Sequence, residues 1–290
     1  MQSIESVLNE YSKLNSAEIE KKVAEILVDG KSKNRTNEVY AKILSCIDLT
    51  SLNTEDTEES IAEFTQKVNA FGEDFPELPN VAAICVYPSL VSTVKEVLTE
   101  GVEIASVAAG FPHSQTFIEV KIAETAMAVM EGATEIDVVI SINKLLDKKY
   151  EELIDELREI KSACREAHLK VILESGTLST EELRIACIIS MEAGADFIKT
   201  STGKQQPAAT TAAAYLMCTM IREFNEKRGT KVGFKAAGGI STVEDALDYY
   251  TIVEATLGNE WLGKDTLRFG ASKLANAILS EMANNPVTYF

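Results

Sequence analysis

The segment AGADFIKTSTGK, residues 193–204, runs apolar through Phe197 and Ile198 and then meets an ammonium group at Lys199. Gly194 ahead of it reads as a helix stop, and the serine, threonine and glycine behind it read as a loop. The unit is therefore helix end, short buried strand, polar loop. It recurs along the chain. β-rich apolar runs occur at ILSCIDLT (43–50), VAAICVY (81–87), EIASVAAG (103–110), EIDVVI (135–140), KVILES (170–175), FIKTST (197–202), KVGFKAAG (231–238) and TLRFGAS (266–272). Segments of helical period lie between them, among them ESIAEFTQKVNAF, YEELIDELREIKSAC and VEDALDYYTIVEATL, with glycine at most junctions.

Strands that alternate with helices pair in parallel. Eight such units, starting 22 to 38 residues apart, predict a closed (β/α)8 TIM barrel. The alternative, an open doubly wound sheet, usually carries a glycine-rich phosphate turn after its first strand, where this chain has DLTSLN. Residues 1–38 read as an N-terminal helical extension of two helices, IESVLNEYSKL and AEIEKKVAEIL, ending in the polar connector GKSKNRTN. Residues 39–290 read as the barrel with a short C-terminal tail, whose aromatic end could fold over the barrel mouth or fray.

The formal net charge of −17 opposes long-range attraction to nucleic acid or an anionic membrane, so neither partner is expected. Five cysteines without a CxxC pair, and a start without an apolar leader, lead us to expect a cytoplasmic protein in a reducing compartment. Two histidines, His113 and His168, are too few for a three-histidine zinc site. His113 follows a strand and is a candidate pocket residue, whereas His168 reads as surface. Nucleotide-binding and serine-hydrolase motifs are missing. Lysine and carboxylate chemistry remains.

Barrel active sites sit at the C-terminal ends of the strands. There, Lys199 and Lys235 break apolar runs on consecutive strands, Glu135 and Asp137 share a face of the fourth strand, Lys170 opens the fifth, and Asp48 lies in the first. One such residue alone can snorkel to a rim or cap a loop. Two lysines on adjacent strands would share a small volume, and burying both charged is unfavourable, so one deprotonates or pairs with a carboxylate. A desolvated lysine beside another cation falls from about 10.4 towards about 7–8. The neutral amine can then form a Schiff base with a carbonyl. After the last three strands, TSTGK with Lys204, AAGGIS with Gly238 and Gly239, and FGAS with Ser272 offer backbone N–H groups and hydroxyls to a small anion.

EIDVVI, AGADFIKTSTGK, VGFKAAGGI and LRFGAS, with IDLTSLN and VAAICVYP earlier, resemble the deoxyribose-phosphate aldolase family from about residue 40 to 280. The resemblance implies a class I aldolase on a TIM barrel without metal or other cofactor. It would reversibly cleave the phosphosugar 2-deoxy-D-ribose 5-phosphate into acetaldehyde and D-glyceraldehyde 3-phosphate, in deoxyribonucleotide catabolism. It implies Lys199 as Schiff-base former, Asp137 and Lys235 as proton donors and acceptors, Lys235 also depressing the Lys199 pKa, and Glu135 and Lys170 in support. Thr202, Gly203, Lys204, Gly238, Gly239 and Ser272 would hold the phosphate, Asp48 and Thr50 would line the sugar side, and a homodimer is expected. Ala236 replaces a common proline, Ser241 stands where a basic residue is frequent, and Lys273 replaces a second serine, so that 241 and 273 exchange roles. A different Schiff-base aldolase of this fold, transaldolase-like, and a non-catalytic sugar-phosphate-binding barrel are the alternatives.

Overall fold

The computed structural model describes residues 3–99 and 101–290. Helices α1 (Ile4–Leu8), α2 (Ser16–Gly30) and α3 (Asn37–Leu44) precede the first strand. The chain then alternates through β1 (Ile47–Thr50), α4 (Glu58–Asp74), β2 (Ala83–Val86), α5 (Val91–Val97), β3 (Glu103–Ala108), α6 (Ile118–Glu131) and β4 (Glu135–Val139). The second half holds α7 (Ile142–Leu146), α8 (Tyr150–Cys164), β5 (His168–Ile172), α9 (Thr180–Glu192), β6 (Phe197–Lys199) and α10 (Thr211–Arg228). It ends with β7 (Gly233–Ala237), α11 (Val243–Leu257), β8 (Leu267–Ala271) and α12 (Leu274–Ala283). The strands pair in parallel in sequence order, and β8 pairs back onto β1 to close the barrel. Among the described residues no helix is long and apolar enough to cross a membrane.

All eight expected strands are present, but the first is shorter than its apolar run suggests. Ile43 and Leu44 belong to α3, which the sequence reading missed. The Thr36 hydroxyl accepts the Val39 N–H at 3.3 Å and caps that helix, so the run ILSC is helix end and turn. The boundary expected after residue 38 falls inside α3. The first expected helix is also shorter, ending at Leu8. Asn15 begins the next one through a capping box with Glu18.

The N-terminal helices are fastened to the ring. α2 buries Ile19 and Val23 against α10 and α11. Arg184 donates to the Leu8 carbonyl at 2.9 Å, and the Asn34 amide donates to Thr251 Oγ1 at 3.1 Å. The tail is fastened too. Phe290 stacks on Phe71 with ring centroids 5.4 Å apart, Tyr289 meets Phe75 edge-on, and Asn276 bonds the backbone of both tail residues.

Most apolar side chains fill the layer between barrel and helices. Inside the barrel, β2 and β3 supply a small apolar patch of Ala83, Cys85, Ala105 and Val107. Phe197 fills the volume over Gly233, where an added Cβ would lie 2.2 Å from its ring. The other strands bring charged side chains into the same interior.

Candidate active site

Strand register places the charged residues side by side. Asp137 pairs with Lys170 across β4–β5, Lys199 with Lys235 across β6–β7, and Lys235 with Arg268 across β7–β8. With inward-pointing side chains, these positions build one cluster inside the barrel, together with Asp48 and Glu135. Lys199 Nζ donates to Asp137 Oδ2 at 2.8 Å, and Lys235 Nζ donates to the same oxygen at 2.6 Å and to Asp48 Oδ2 at 2.5 Å. Lys170 Nζ bonds Glu135 Oε2, and it lies 3.1 Å from Asp48 Oδ2 and 3.3 Å from Asp137 Oδ1. Asp137 Oδ1 makes no hydrogen bond.

The electrostatics follow from this geometry. Burial would raise the three carboxylates, but the ammonium groups beside them prevail. Lys170 is the strongest of these, and with its neighbours it holds Asp48 and Asp137 well below the usual carboxylate range and Glu135 at about 2. Burial pushes the Lys199 amine down, Asp137 opposes this, and Lys235 adds to it. Lys235 and Lys170 are also desolvated, yet their carboxylate partners push both up. Of the two lysines at the strand ends, only Lys199 is shifted towards the free amine.

Lys199 also forms part of the wall of a cavity of about 490 Å³ at the C-terminal ends of the strands. Thr50, Thr202, Gly203, Lys204, Gly238, Gly239 and Ser272 line it, so every residue expected to hold phosphate reaches the same space. Ser241 and Lys273 line it as well. Gly203 and Gly238 have φ of +78° and +89°, where a side chain is strained. They also touch, since a Cβ on Gly238 would sit 3.2 Å from Gly203 Cα and 2.8 Å from Ala208 Cβ. The two loops thus meet backbone to backbone beside Lys199.

Three expectations shift in place. Asp48 is fully buried and lies outside the cavity lining; its oxygens bond Lys235, Lys170 and Arg268 instead of facing the sugar side. Lys170 lies mid-strand in β5, which starts at His168. His113 is exposed and lines no part of this cavity. His168 is exposed as expected, with Nδ1 4.0 Å from Glu135 Oε1.

Two residues escaped the sequence reading. Arg268 donates from Nη1 to Asp48 Oδ1 at 2.6 Å and from Nη2 to Glu135 Oε1 at 2.7 Å. It interrupts an apolar strand as Lys235 does, so the same period-2 test would have found it. Glu174, at the end of β5, is buried with left-handed backbone, φ 51° and ψ 52°. Its Oε1 accepts the Thr202 N–H at 3.1 Å and its Oε2 accepts the Thr202 hydroxyl at 2.5 Å.

A family model described as DeoC/LacD family aldolase matches residues 42–272, the whole barrel from the end of α3 to the loop before α12. The chain belongs to this aldolase family. Among relatives of this family member, deoxyribose-phosphate aldolase from Homo sapiens is 43% identical over 249 residues, covering 82% of this chain and 78% of the human protein. The enzyme of the same name from Bos taurus is 43% identical over 245 residues, covering 80% of this chain and 77% of its own length. Among solved structures, the tetrameric deoxyribose phosphate aldolase from Aeropyrum pernix superposes with a TM-score of 0.68 at 26% identity. It matches 89% of this chain and 97% of that one.

Proposed function

We propose that this aldolase reversibly cleaves 2-deoxy-D-ribose 5-phosphate to acetaldehyde and D-glyceraldehyde 3-phosphate through a Schiff base on Lys199. The observation that carries the reading is that Lys199, alone in the buried charged cluster, lines the cavity and has its amine shifted towards the neutral form. Family membership and the named relatives support the substrate.

The chemistry follows from the contacts. Neutral Lys199 Nζ adds to the aldehyde carbon of the open-chain sugar, and loss of water with uptake of one proton, given back on the final hydrolysis, leaves an iminium that serves as electron sink. Asp137, with Lys235 on its Oδ2 and its Oδ1 without a hydrogen bond, is fully buried outside the cavity lining and accepts the C3 hydroxyl proton through water. The C2–C3 bond breaks, C3 becomes the aldehyde carbon of the departing glyceraldehyde 3-phosphate, and the bond's electrons remain on C2 as an enamine. The proton returns to C2, and water hydrolyses the iminium to acetaldehyde and free Lys199. Lys170, Glu135 and Asp48 hold Asp137 and Lys235 in place.

The phosphate sits against the N–H groups and hydroxyls of Thr202, Gly203, Gly238, Gly239 and Ser272, with Lys204 at the rim and Thr50 on the sugar side. Lys273 supplies the cation that Ser241 lacks, because both residues border the same cavity. The assignment places the protein in deoxyribonucleotide catabolism. A cytoplasmic location fits five cysteines that are all free and buried. A homodimer fits the apolar surface that Phe117, Met127 and Met130 leave exposed around α6; light scattering measures the assembly. Residues 1–38 act as an extension that braces the ring through α2.

The test of function is acetaldehyde release from deoxyribose 5-phosphate, compared with cleavage of ketose phosphates that yield dihydroxyacetone phosphate. Cleavage of the ketoses only would move the assignment to another Schiff-base aldolase. Binding of the sugar phosphate without any turnover would leave a binding protein.

A further inference from the structure

Seven acidic and basic side chains are buried inside the barrel, none more than 4% exposed: Asp48, Glu135 and Asp137 against Lys170, Lys199, Lys235 and Arg268. Fully ionised, they would leave one uncompensated positive charge in a desolvated volume. The guanidinium does not give up its proton, and the carboxylates are crowded by cations, so the surplus proton leaves a lysine. Contacts decide which one. Lys170 meets three carboxylates, Lys235 meets two, and Lys199 meets only Asp137. Lys199 is also the one that borders the cavity, where a proton can depart.

We propose that Arg268 is the residue that keeps the Lys199 amine unprotonated, by occupying Asp48 and Glu135 with a charge that cannot dissociate. The inference rests on Lys199 being the nucleophile. Arg268 reaches both oxygens of Glu135, at 2.9 and 2.7 Å, and Asp48 Oδ1 at 2.6 Å. It has no contact with Lys199 and acts through these carboxylates, as a positioning residue. Without it, three carboxylates would face three lysines, and the interior would be neutral with Lys199 protonated.

The remaining groups around Lys199 do not upset this balance. On β2, Cys85 is a thiol pushed up by burial and stays neutral, while β3 contributes Ala105 and Val107. Lys204 and Lys273 border the open cavity, with the Lys204 ammonium on the Leu52 carbonyl. His168 stands at the exposed foot of β5 beside Glu135, and protonating it in acid adds positive charge, which acts in the same direction as Arg268.

The test is the pH dependence of kcat/KM, which reports the free enzyme, for wild type, Arg268→Met, Arg268→Lys and Glu135→Gln. Arg268→Met should move the acidic limb up by about one unit or more. That is about a tenfold loss on the acid side, with the rate recovering above the shifted limb. Arg268→Lys should leave the limb near its wild-type position, and Glu135→Gln, which removes an anion, should move it down. A loss in Arg268→Met that is uniform across pH, with the limb unmoved, overturns the proposal and leaves a scaffold role. Should Arg268→Met fail to fold, Glu135→Gln decides: a limb that stays or rises overturns it. Borohydride trapping with acetaldehyde separates the two levels. No adduct on wild-type Lys199 defeats the nucleophile assignment, whereas an adduct there with an unmoved limb defeats only the role of Arg268.

Discussion

Replacing Glu174 with alanine should separate phosphate recognition from carbon–carbon chemistry. The Glu174 carboxylate takes two hydrogen bonds from Thr202, and the Thr202 hydroxyl in turn accepts the Lys204 N–H at 3.0 Å. One buried side chain therefore shapes the loop that carries Gly203 and Lys204. A hydrogen bond to a charged group is worth about 1.5–3 kcal/mol, so the pair bounds the effect at roughly 3–6 kcal/mol. Other restraints survive the substitution. Thr200 still bonds the Ala237 N–H and carbonyl, both at 3.0 Å, and Gly203 still packs on Gly238. A net loosening of roughly 2 kcal/mol follows, or about a 30-fold drop in kcat/KM. That drop should appear in KM for deoxyribose 5-phosphate. Turnover of unphosphorylated deoxyribose, which makes no use of the loop, should stay within about threefold of wild type, and Glu174→Gln, whose amide oxygen can still accept the Thr202 N–H, should fall between. The assay is steady-state acetaldehyde release on both sugars. Equal losses on the two substrates, or no loss on the phosphorylated one, would refute the reasoning.

Lys199→Ala should abolish turnover while leaving the fold intact by circular dichroism; activity within about tenfold of wild type would remove it as nucleophile. Gly238→Ala forces a side chain into φ +89° and against Ala208 and Gly203, at about 1–3 kcal/mol. It should raise KM for the phosphorylated substrate at least about tenfold, which the same assay reads. Deleting Tyr289 and Phe290 removes three ring contacts with Phe71 and Phe75, each about 0.5–1.5 kcal/mol. Calorimetry should show Tm lower by roughly 5 °C. Acid should destabilise the protein through the cluster. Glu135 is held at about 2 in the folded chain, against about 4.3 when unfolded. Between those values the unfolded chain binds more protons, so stability rises with pH, is fully present above about 4.5, and falls by roughly 3 kcal/mol for this group as pH drops through 2. Thermal melts across that range should show the decline lessened in Glu135→Gln.

Much of the barrel was legible because each strand is a short apolar run with turn residues at its ends. Where the reading slipped, competing local signals explain it. ILSC joins a helix end to a strand without a break in hydrophobicity, and only the Thr36 cap distinguishes them. Lys199, Lys235 and Asp137 stood out as charges in apolar strands. Arg268 carries the same mark, but the phosphate-loop reading of FGAS drew attention past it. Asp48 was expected on the sugar side from the family resemblance, and the strand pattern could not correct this because it gives a residue's face, not its depth along the barrel axis. Glu174 was out of reach for another reason: its left-handed backbone and its grip on Thr202, 28 residues away, arise only when β5 and β6 are side by side.

The cluster also explains why so much charge is tolerated in a core. Buried ion pairs are often replaceable by apolar packing without loss of stability. Three carboxylates and four basic side chains in one barrel are therefore better explained by chemistry than by folding, and the chemistry they point to is a free amine at Lys199.

Borohydride reduction of the protein in the presence of acetaldehyde, followed by peptide mass spectrometry, tests that point most directly. A reduced ethyl adduct on the peptide carrying Lys199, and not on those carrying Lys235 or Lys204, is the predicted result. An adduct on Lys235, or none at all while deoxyribose 5-phosphate is still cleaved, would contradict the account.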